Sequence, residues 1–231
     1  MEADKKSISR RQSVIAQMII IALFCIGVTV SAQDYSEGTL SQYLFPKFDS
    51  CQVKMTTGTI NHAIANYNTL TGKMVFMKDN NPYNMTVTSF VDTVIIAGRK
   101  FVPVNGVFYE VLVDAPVSLY VYHKGNLEHM GAAAGYGGRS QTTAIDRISV
   151  LNTGDQFYNL KIPEEYKVKP SPVFWIGRDG QLSSFLSKRQ LLKIFPDHED
   201  ELQQFIKDNR LKIDDPEDMI KLVYYCNEIM I

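Results

Sequence analysis

Residues Val91–Val113, VDTVIIAGRKFVPVNGVFYEVLV, decide the fold of this chain. Runs of β-branched and aromatic residues alternate in this stretch with short turn signals, as in consecutive antiparallel strands. Asn105-Gly106 is the strongest of these signals, because both residues tolerate the positive φ of a two-residue hairpin turn. Gly98–Lys100 is predicted to form the preceding turn. Pro103 cannot donate a hydrogen bond to a neighbouring strand, so it is predicted to lie on an edge or at a bulge.

The same alternation extends in both directions, from Cys51 to about Leu186. Lys124–Asn126 and Arg178–Gly180 have the composition of further turns. Further strands are predicted at Thr59–Tyr67, Lys73–Met77, Val117–His123, Ile148–Leu151, Phe157–Ile162 and Val173–Ile176. The lead-in segment before them, Gln33–Asp49, is predicted to be extended and pinned by its aromatic residues.

Helix signals replace the strand pattern after Leu186. Ser187 and Gln190 fit a capping box at the start of a short first helix. Asp197 is predicted to cap a second helix, and Asp215, followed by proline, to cap a third. The packed face of the third helix is predicted to contain Ile220, Val223, Tyr224 and Asn227.

These patterns predict an α+β fold that is mainly antiparallel β. The β part is expected to be a hairpin-rich sheet, a sandwich or a partial barrel, with about three short C-terminal helices packed on it. Three regions follow from the composition: a signal peptide at 1–32, a β-rich region at 33–186 and a helical segment at 187–231. The narrow apolar stripes of the helices need a partner surface, so the last two regions are expected to form one structural unit.

The N-terminal region has the three parts of a secretory signal peptide. Met1–Ser13 carries four cations, Val14–Val30 is an apolar run, and small residues follow it. Cleavage is predicted between Ala32 and Gln33, which places the mature protein in the periplasm or at the cell surface. An uncleaved signal anchor is the alternative, and it would leave the rest of the chain on the same side of the membrane.

Export bears on the two cysteines that remain after the leader, Cys51 and Cys226. An oxidising compartment permits a disulfide between them. The alternative is two buried thiols that behave as small apolar side chains. The sequence leaves both possibilities open.

The formal net charge of −1 argues against nucleic-acid binding, since such proteins usually have a basic excess or a basic face. No nucleic-acid partner and no cofactor are expected. Membrane contact is expected only through the N-terminal signal segment.

The glycine-rich stretch GAAAGYGGRSQTTA, Gly131–Ala144, invites comparison with phosphate-binding loops. It lacks the lysine and the glycine spacing of such loops and has no amphipathic helix after it. A flexible connection between strands is therefore predicted, in which Tyr136, Arg139 and Gln141 are candidate ligand contacts.

No catalytic or metal-binding pattern stands out. His123, Glu128 and His129 lie across a predicted turn without zinc-site spacing, so no metal site is predicted. Asp92, Glu110 and Asp114 lie on or beside strands and are the candidates for a pair of hydrolytic carboxylates. The many tyrosines of the β region offer flat apolar faces with a polar tip, which suit sugars or protein partners and also fill cores.

Four stretches and the exported start make the chain resemble a group of uncharacterised exported cell-envelope proteins of bacteria of the Bacteroidetes type. The stretches are NYNTLTGKMVFM (Asn66–Met77), VDTVIIAGRKFVPVNGVFYEVL (Val91–Leu112), GYGGRSQTTA (Gly135–Ala144) and the helical part from Lys188 to Ile229. The resemblance covers most of the chain after the leader. It implies an envelope location and carries over no catalytic residue or ligand.

The expectation is therefore an exported bacterial cell-envelope protein with a non-enzymatic binding or structural role, whose partner is a glycan or an envelope protein. One alternative is a secreted hydrolase that acts on glycans or peptides. The other is a periplasmic protein anchored in the inner membrane by its uncleaved signal.

Overall fold

The structure is a computed structural model and describes residues 42–129, 132–133, 139–140, 162 and 166–230. The strands are β1 Asp49–Met55, β2 Ile60–Asn68, β3 Lys73–Lys78, β4 Asn81–Asn84, β5 Val91–Ile96, β6 Arg99–Val104, β7 Val107–Val113, β8 Ser118–Tyr122, β9 Gly125–His129, β10 Ala132–Ala133, β11 Arg139–Ser140, β12 Tyr166–Pro170, β13 Val173–Arg178 and β14 Gln181–Phe185. The helices are α1 Lys188–Leu192, α2 Glu199–Asp208 and α3 Pro216–Ile229, with a 3₁₀ turn at Pro196–His198.

Ten strands form one antiparallel sheet in the order β14-β13-β8-β7-β6-β5-β1-β2-β3-β4. β9 pairs with β12, and β10 pairs with β11, in two small separate ladders. The helices pack against the large sheet, so the predicted α+β class with mainly antiparallel β structure is confirmed. No helix in the described part of the chain combines the length and the apolar character that crossing a membrane requires.

Two-residue turns join several neighbouring strands. Asn105 and Gly106 have φ values of 51° and 82°, so the predicted hairpin turn is confirmed. A turn is found where one was predicted at Gly98–Lys100, but it begins one residue earlier, because the positive φ values fall on Ala97 and Gly98. Arg99 and Lys100 therefore belong to β6, and Arg99 pairs with Ile96.

Pro103 illustrates how proline is accommodated inside a sheet. β6 pairs with β5 only from Arg99 to Phe101, whereas its pairing with β7 runs on to Val104. Pro103 therefore lies on a local edge, where its missing N–H faces no strand.

The turn predicted at Lys124–Asn126 is wrong, because Gly125 already begins β9. β9 does not fold back on β8 but pairs with the distant strand β12. The strand predicted at Ile148–Leu151, and the one predicted at Phe157–Ile162 apart from Ile162, lie outside the described residues.

Two of the three predicted helix caps are confirmed. Ser187 Oγ accepts a hydrogen bond from Gln190 N, and Asp215 Oδ1 accepts one from Asp218 N. The cap predicted at Asp197 is wrong: this residue lies in the 3₁₀ turn, and α2 begins after His198, which makes no side-chain cap bond.

One face of the sheet, here called the inner face, carries the core in two clusters. The helix-covered cluster joins β8, β13 and β14 to the three helices through Leu119, Val121, Phe174, Ile176, Phe185, Leu191, Leu202, Met219, Leu222 and Cys226, among others. The segment-covered cluster joins β1, β2, β3, β5, β6 and β7 to the lead-in segment through Phe45, Cys51, Val53, Tyr67, Met74, Val94, Ile96, Phe101 and Phe108, among others. Tyr224 was predicted on the packed face of α3, but it is 55% exposed, because Met219, Leu222 and Cys226 take that face.

A buried asparagine ties each covering element to the sheet. Asn227 of α3 accepts from Val117 N and donates to Val117 O, with distances of 2.9 and 2.8 Å. Asn66 of β2 accepts from Phe45 N and donates to Phe45 O and Lys47 O. Both residues thus satisfy backbone groups that would otherwise be buried without partners.

Candidate functional site

A charged cluster lies on the inner face at the junction of the two hydrophobic clusters. Glu110 of β7 stands between Phe101 on β6 and Val121 on β8, which belong to different clusters. Its side chain is only 6% exposed. Arg99 donates to both carboxylate oxygens, from Nε to Oε1 and from Nη2 to Oε2, each at 2.5 Å. His123 Nε2 lies 2.6 Å from Oε2 and must donate, since a carboxylate only accepts.

The electrostatics keep Glu110 ionised. Burial raises the pKa of its carboxyl group, but hydrogen bonds and charge from Arg99 and His123 outweigh this effect and lower the pKa to about 2. The Arg99 guanidinium also lies over the rings of Phe45 and Phe101, at 5.2 and 5.7 Å from their centroids. Both Glu110 oxygens accept hydrogen bonds within the cluster, and the low pKa keeps the carboxylate ionised at neutral pH.

The other two candidate carboxylates bind different cations. Asp92 forms an ion pair with Lys54 at 3.0 Å, and Asp114 one with Lys100 at 2.7 Å. Both aspartates are exposed, whereas Glu110 is buried with Arg99. The three carboxylates therefore take part in three separate ion pairs and share no common site.

The histidine region provides no metal site in the described part of the chain, where no group of three His, Cys, Asp or Glu side chains is placed to hold a metal. His123 binds Glu110, while Glu128 forms an ion pair with Lys167 at 3.2 Å. His129 is the last residue of β9 and pairs with Tyr166.

Of the candidate contacts in the glycine-rich stretch, only Arg139 lies within the described residues. It begins β11 and pairs with Ala133 of β10. Tyr136 and Gln141 lie outside the described residues, as do Ala32 and Gln33 at the predicted cleavage site.

Cys51 and Cys226 are both free and buried in this structure. Cys51 belongs to the segment-covered cluster and Cys226 to the helix-covered cluster. Burial raises the pKa of both thiols, that of Cys226 to about 12, so both are neutral and unreactive at pH 7. Of the two alternatives that the sequence leaves open, the structure has the unpaired one.

The opposite, outer face of the sheet carries an aromatic cluster. Tyr109 of β7 contacts Tyr122 of β8 and Trp175 of β13, with ring centroids 5.5 Å apart in each pair. Tyr120 lies in the same row, directly opposite Trp175 in the strand register. Burial raises the pKa of Tyr109 and Tyr122, so their hydroxyl groups stay protonated well above neutral pH.

A groove of about 290 Å³ adjoins this cluster on the outer face. Tyr120, Val102, Val104 and Leu182 form apolar walls, and Ser118 and Asp179 supply polar side chains. The Arg178 guanidinium lies over the Phe195 ring, on the helix-covered face. Two further grooves, one around Cys51 and His62 and one around Arg178 and Lys193, are lined by no Tyr, Phe or Trp. The groove at Tyr120 thus combines an aromatic wall with hydrogen-bonding groups, as small-ligand sites usually do.

Glycines shape the aromatic surface. A Cβ atom at Gly177 would come within 2.8 Å of the Tyr120 ring, and one at Gly72 within 2.6 Å of the Tyr122 ring. Tyr120 therefore packs on the bare backbone of Gly177 in β13, and Tyr122 packs on that of Gly72 in the turn between β2 and β3. A side chain at Gly177 would therefore force the Tyr120 ring to shift.

The sequence analysis pointed to the tyrosines of the β region as a group, but it missed Trp175 and Gly177. Their signal is the run Phe174-Trp175-Ile176-Gly177, in which the buried inner-face residues alternate with the outer-face residues. What the sequence does not show is that β13 pairs with β8, which places Trp175 and Gly177 beside Tyr120.

Searches against protein-family models, curated proteins and solved structures found no match for this chain.

Proposed function

We propose that this chain is an exported protein of the bacterial cell envelope that binds a glycan, without chemical turnover, in the outer-face groove. The observation that carries the binding role is the groove itself, with its Tyr120 wall beside the bare backbone of Gly177. The N-terminal leader pattern and the resemblance to exported envelope proteins support the location.

A sugar has the chemistry that this groove can accept. The C–H face of a pyranose ring packs on an aromatic ring such as Tyr120, while its hydroxyl groups need donors and acceptors at the edge. The Ser118 hydroxyl can donate and accept, and the Asp179 carboxylate can accept, along the lining. The apolar walls and polar rim therefore match a ligand whose two faces differ in polarity.

The proposal of a non-enzymatic role is supported by the closed charge cluster. Glu110 is the buried candidate carboxylate, and both of its oxygens accept hydrogen bonds from Arg99 or His123. Asp92 and Asp114 lie in separate exposed ion pairs. None of these groups lines the outer-face groove.

Binding is tested by calorimetric titration of the purified protein with soluble peptidoglycan fragments and with β-linked oligosaccharides. Tyr120→Ala removes the aromatic wall and is expected to weaken binding by at least tenfold. Gly177→Ala is expected to weaken binding as well, because it displaces the Tyr120 ring. Tyr224→Ala is the matched control, since Tyr224 is an exposed tyrosine of α3 outside the groove.

The result that would overturn the glycan proposal is unchanged affinity in Tyr120→Ala, or no heat of binding with any of these sugars. Chromatography of the oligosaccharides after incubation separates binding from turnover, and shortened products would establish the hydrolase alternative. N-terminal sequencing of the protein from a periplasmic fraction checks export. A start at Gln33 supports cleavage, an intact start in the membrane fraction establishes the anchored form, and a full-length cytosolic protein contradicts the proposal.

A further inference from the structure

The large sheet is open, so it has two edge strands, β4 and β14. Unpaired backbone groups on an edge can pair with another chain, and proteins commonly protect edges with proline, charge or a covering element. The two edges of this sheet differ in that protection.

The β4 edge is blocked by Pro82. Asp79 and Asn80 form a two-residue turn, so Lys78 and Asn81 exchange hydrogen bonds and Pro82 is left facing outward. Proline has no N–H to offer a further strand at this position.

Among the described residues, the β14 edge has no such protection. Asp179 and Gly180 form the turn, so Gln181, Ser183 and Phe185 bond to β13, whereas the N–H and C=O groups of Leu182 and Ser184 point outward. The strand QLSSF contains neither a charge nor a proline. Ser184 is exposed, and within the part of the chain that the structure describes no further backbone hydrogen bond involves Leu182 or Ser184.

We propose that the β14 edge pairs antiparallel with β14 of a second copy of this chain, around a two-fold axis at Ser183. The outward N–H and C=O groups select this register. In it, Leu182 of each copy lies directly opposite Ser184 of the other copy. Each such pair exchanges two hydrogen bonds, so four bonds use all the outward groups of Leu182 and Ser184. The two sheets become one continuous sheet.

Two features favour a second copy over an unrelated strand. The uncharged strand places no like charges opposite each other when it meets itself. In the same register, Leu186, which is 76% exposed, comes beside Gly180 of the second copy, where a Cβ would meet nothing within 4 Å. The contact therefore covers an exposed leucine next to a residue that leaves room for it.

The interface is short, so the dimer is expected to dissociate on dilution. Sedimentation velocity of the purified protein across a dilution series is expected to show a reversible monomer–dimer equilibrium. Hydrogen exchange adds a local readout: the amides of Leu182 and Ser184 should exchange more slowly at high concentration, while that of Ser183, already bonded to β13, should not change.

Charge at the axis gives the sharpest test, because the two Ser183 side chains face each other. Ser183→Lys and Ser183→Glu are each expected to be monomeric, and an equal mixture of the two is expected to form a heterodimer. Ser184→Pro removes an outward N–H without disturbing the bonds to β13 and is expected to abolish dimerisation. Asn84→Pro makes the equivalent change on β4 and is the control that should still dimerise.

Circular dichroism of each variant checks that the chain is folded, so that loss of dimer is read only from folded protein. A wild-type chain that stays monomeric at every concentration would overturn the proposal. So would a dimer that persists in Ser183→Lys and Ser184→Pro, because its interface would then lie elsewhere. The inference rests on the outward backbone groups of Leu182 and Ser184 and is argued without the glycan site, although Gly180 and Leu182 also line that groove.

Discussion

The two hydrophobic clusters of the inner face are covered in different ways. Helices cover one, and the lead-in segment covers the other, yet a buried asparagine anchors the cover in both. Asn227 lies on the covering helix and binds the backbone of Val117, directly before β8. Asn66 lies in the sheet and binds the backbone of the covering segment. The comparison teaches that a regular element can bring its own anchor, while an irregular segment depends on one supplied by the sheet.

The largest effect is expected where the two clusters meet. Glu110→Gln keeps the shape of the side chain but leaves the partly buried Arg99 without a countercharge, and breaking a buried pair in this way costs about 3–5 kcal/mol. Urea unfolding measures the loss. Asp114→Asn removes a carboxylate from an exposed pair and should cost less than about 1 kcal/mol. Equal losses in the two variants would contradict a structural role for the Glu110 cluster.

The same residue predicts how stability depends on acid. Because the folded-state pKa of Glu110 is about 2, below its ordinary value of 4.5, its contribution is complete above about pH 4.5 and is lost as the pH falls toward 2. A difference of this size corresponds to about 3 kcal/mol. Urea unfolding of the wild type and of Glu110→Gln over this range should show a slope that is smaller in the variant. Parallel curves would show that other carboxylates cause the acid sensitivity.

Removing the side chain of Asn227 and removing that of Asn66 should destabilise different parts of the protein. Asn227→Ala leaves the N–H and C=O groups of Val117 without side-chain partners, and each buried unsatisfied group costs about 1–3 kcal/mol. This loss should appear in global unfolding. Asn66→Ala removes bonds to Phe45 and Lys47, so amide exchange of the lead-in segment should rise first. If both variants raised exchange throughout the sheet equally, the two covers would not be distinct.

The smallest effect separates a true helix cap from an apparent one. Asp215→Ala removes the side-chain acceptor of Asp218 N and should destabilise the protein by about 1 kcal/mol. Asp197→Ala should change stability by less than about 0.5 kcal/mol, because Asp197 caps no helix and lies in a 3₁₀ turn. The two thermal unfolding midpoints provide the measurement, and a larger shift for Asp197→Ala would reverse the assignment.

The features that could be predicted from sequence are those that depend on residues close together in the chain. The hairpin at Asn105-Gly106 and the caps at Ser187 and Asp215 depend on residues close together in the chain, and they are confirmed. The turn before β6 was misplaced because Ala97, not Arg99, takes a positive φ, which Ala seldom does. That shift moves Arg99 from a predicted turn into the strand from which it reaches Glu110.

The candidate groove could not be predicted because its walls come from strands far apart in sequence. Tyr120 and Gly177 become neighbours only through the pairing of β8 with β13. Nothing in the local pattern of either strand selects the other as its partner. The same holds for the Asn66 anchor, whose partners in the lead-in segment follow no periodic pattern.

The strand order also bears on how the chain reaches this structure. It divides the large sheet into three ribbons of sequence neighbours, β1–β4, β5–β8 and β13–β14. Within a ribbon each hairpin needs only a short loop, and hairpins form in about 1–10 μs. Two seams, β1 with β5 and β8 with β13, join the ribbons and must close long stretches of chain before any contact is gained. The main folding barrier is therefore expected to be the formation of these two long-range strand pairs. The folding rate is then set by the pairing of Val53 with Val94 and of Val121 with Phe174, and not by the tight turns.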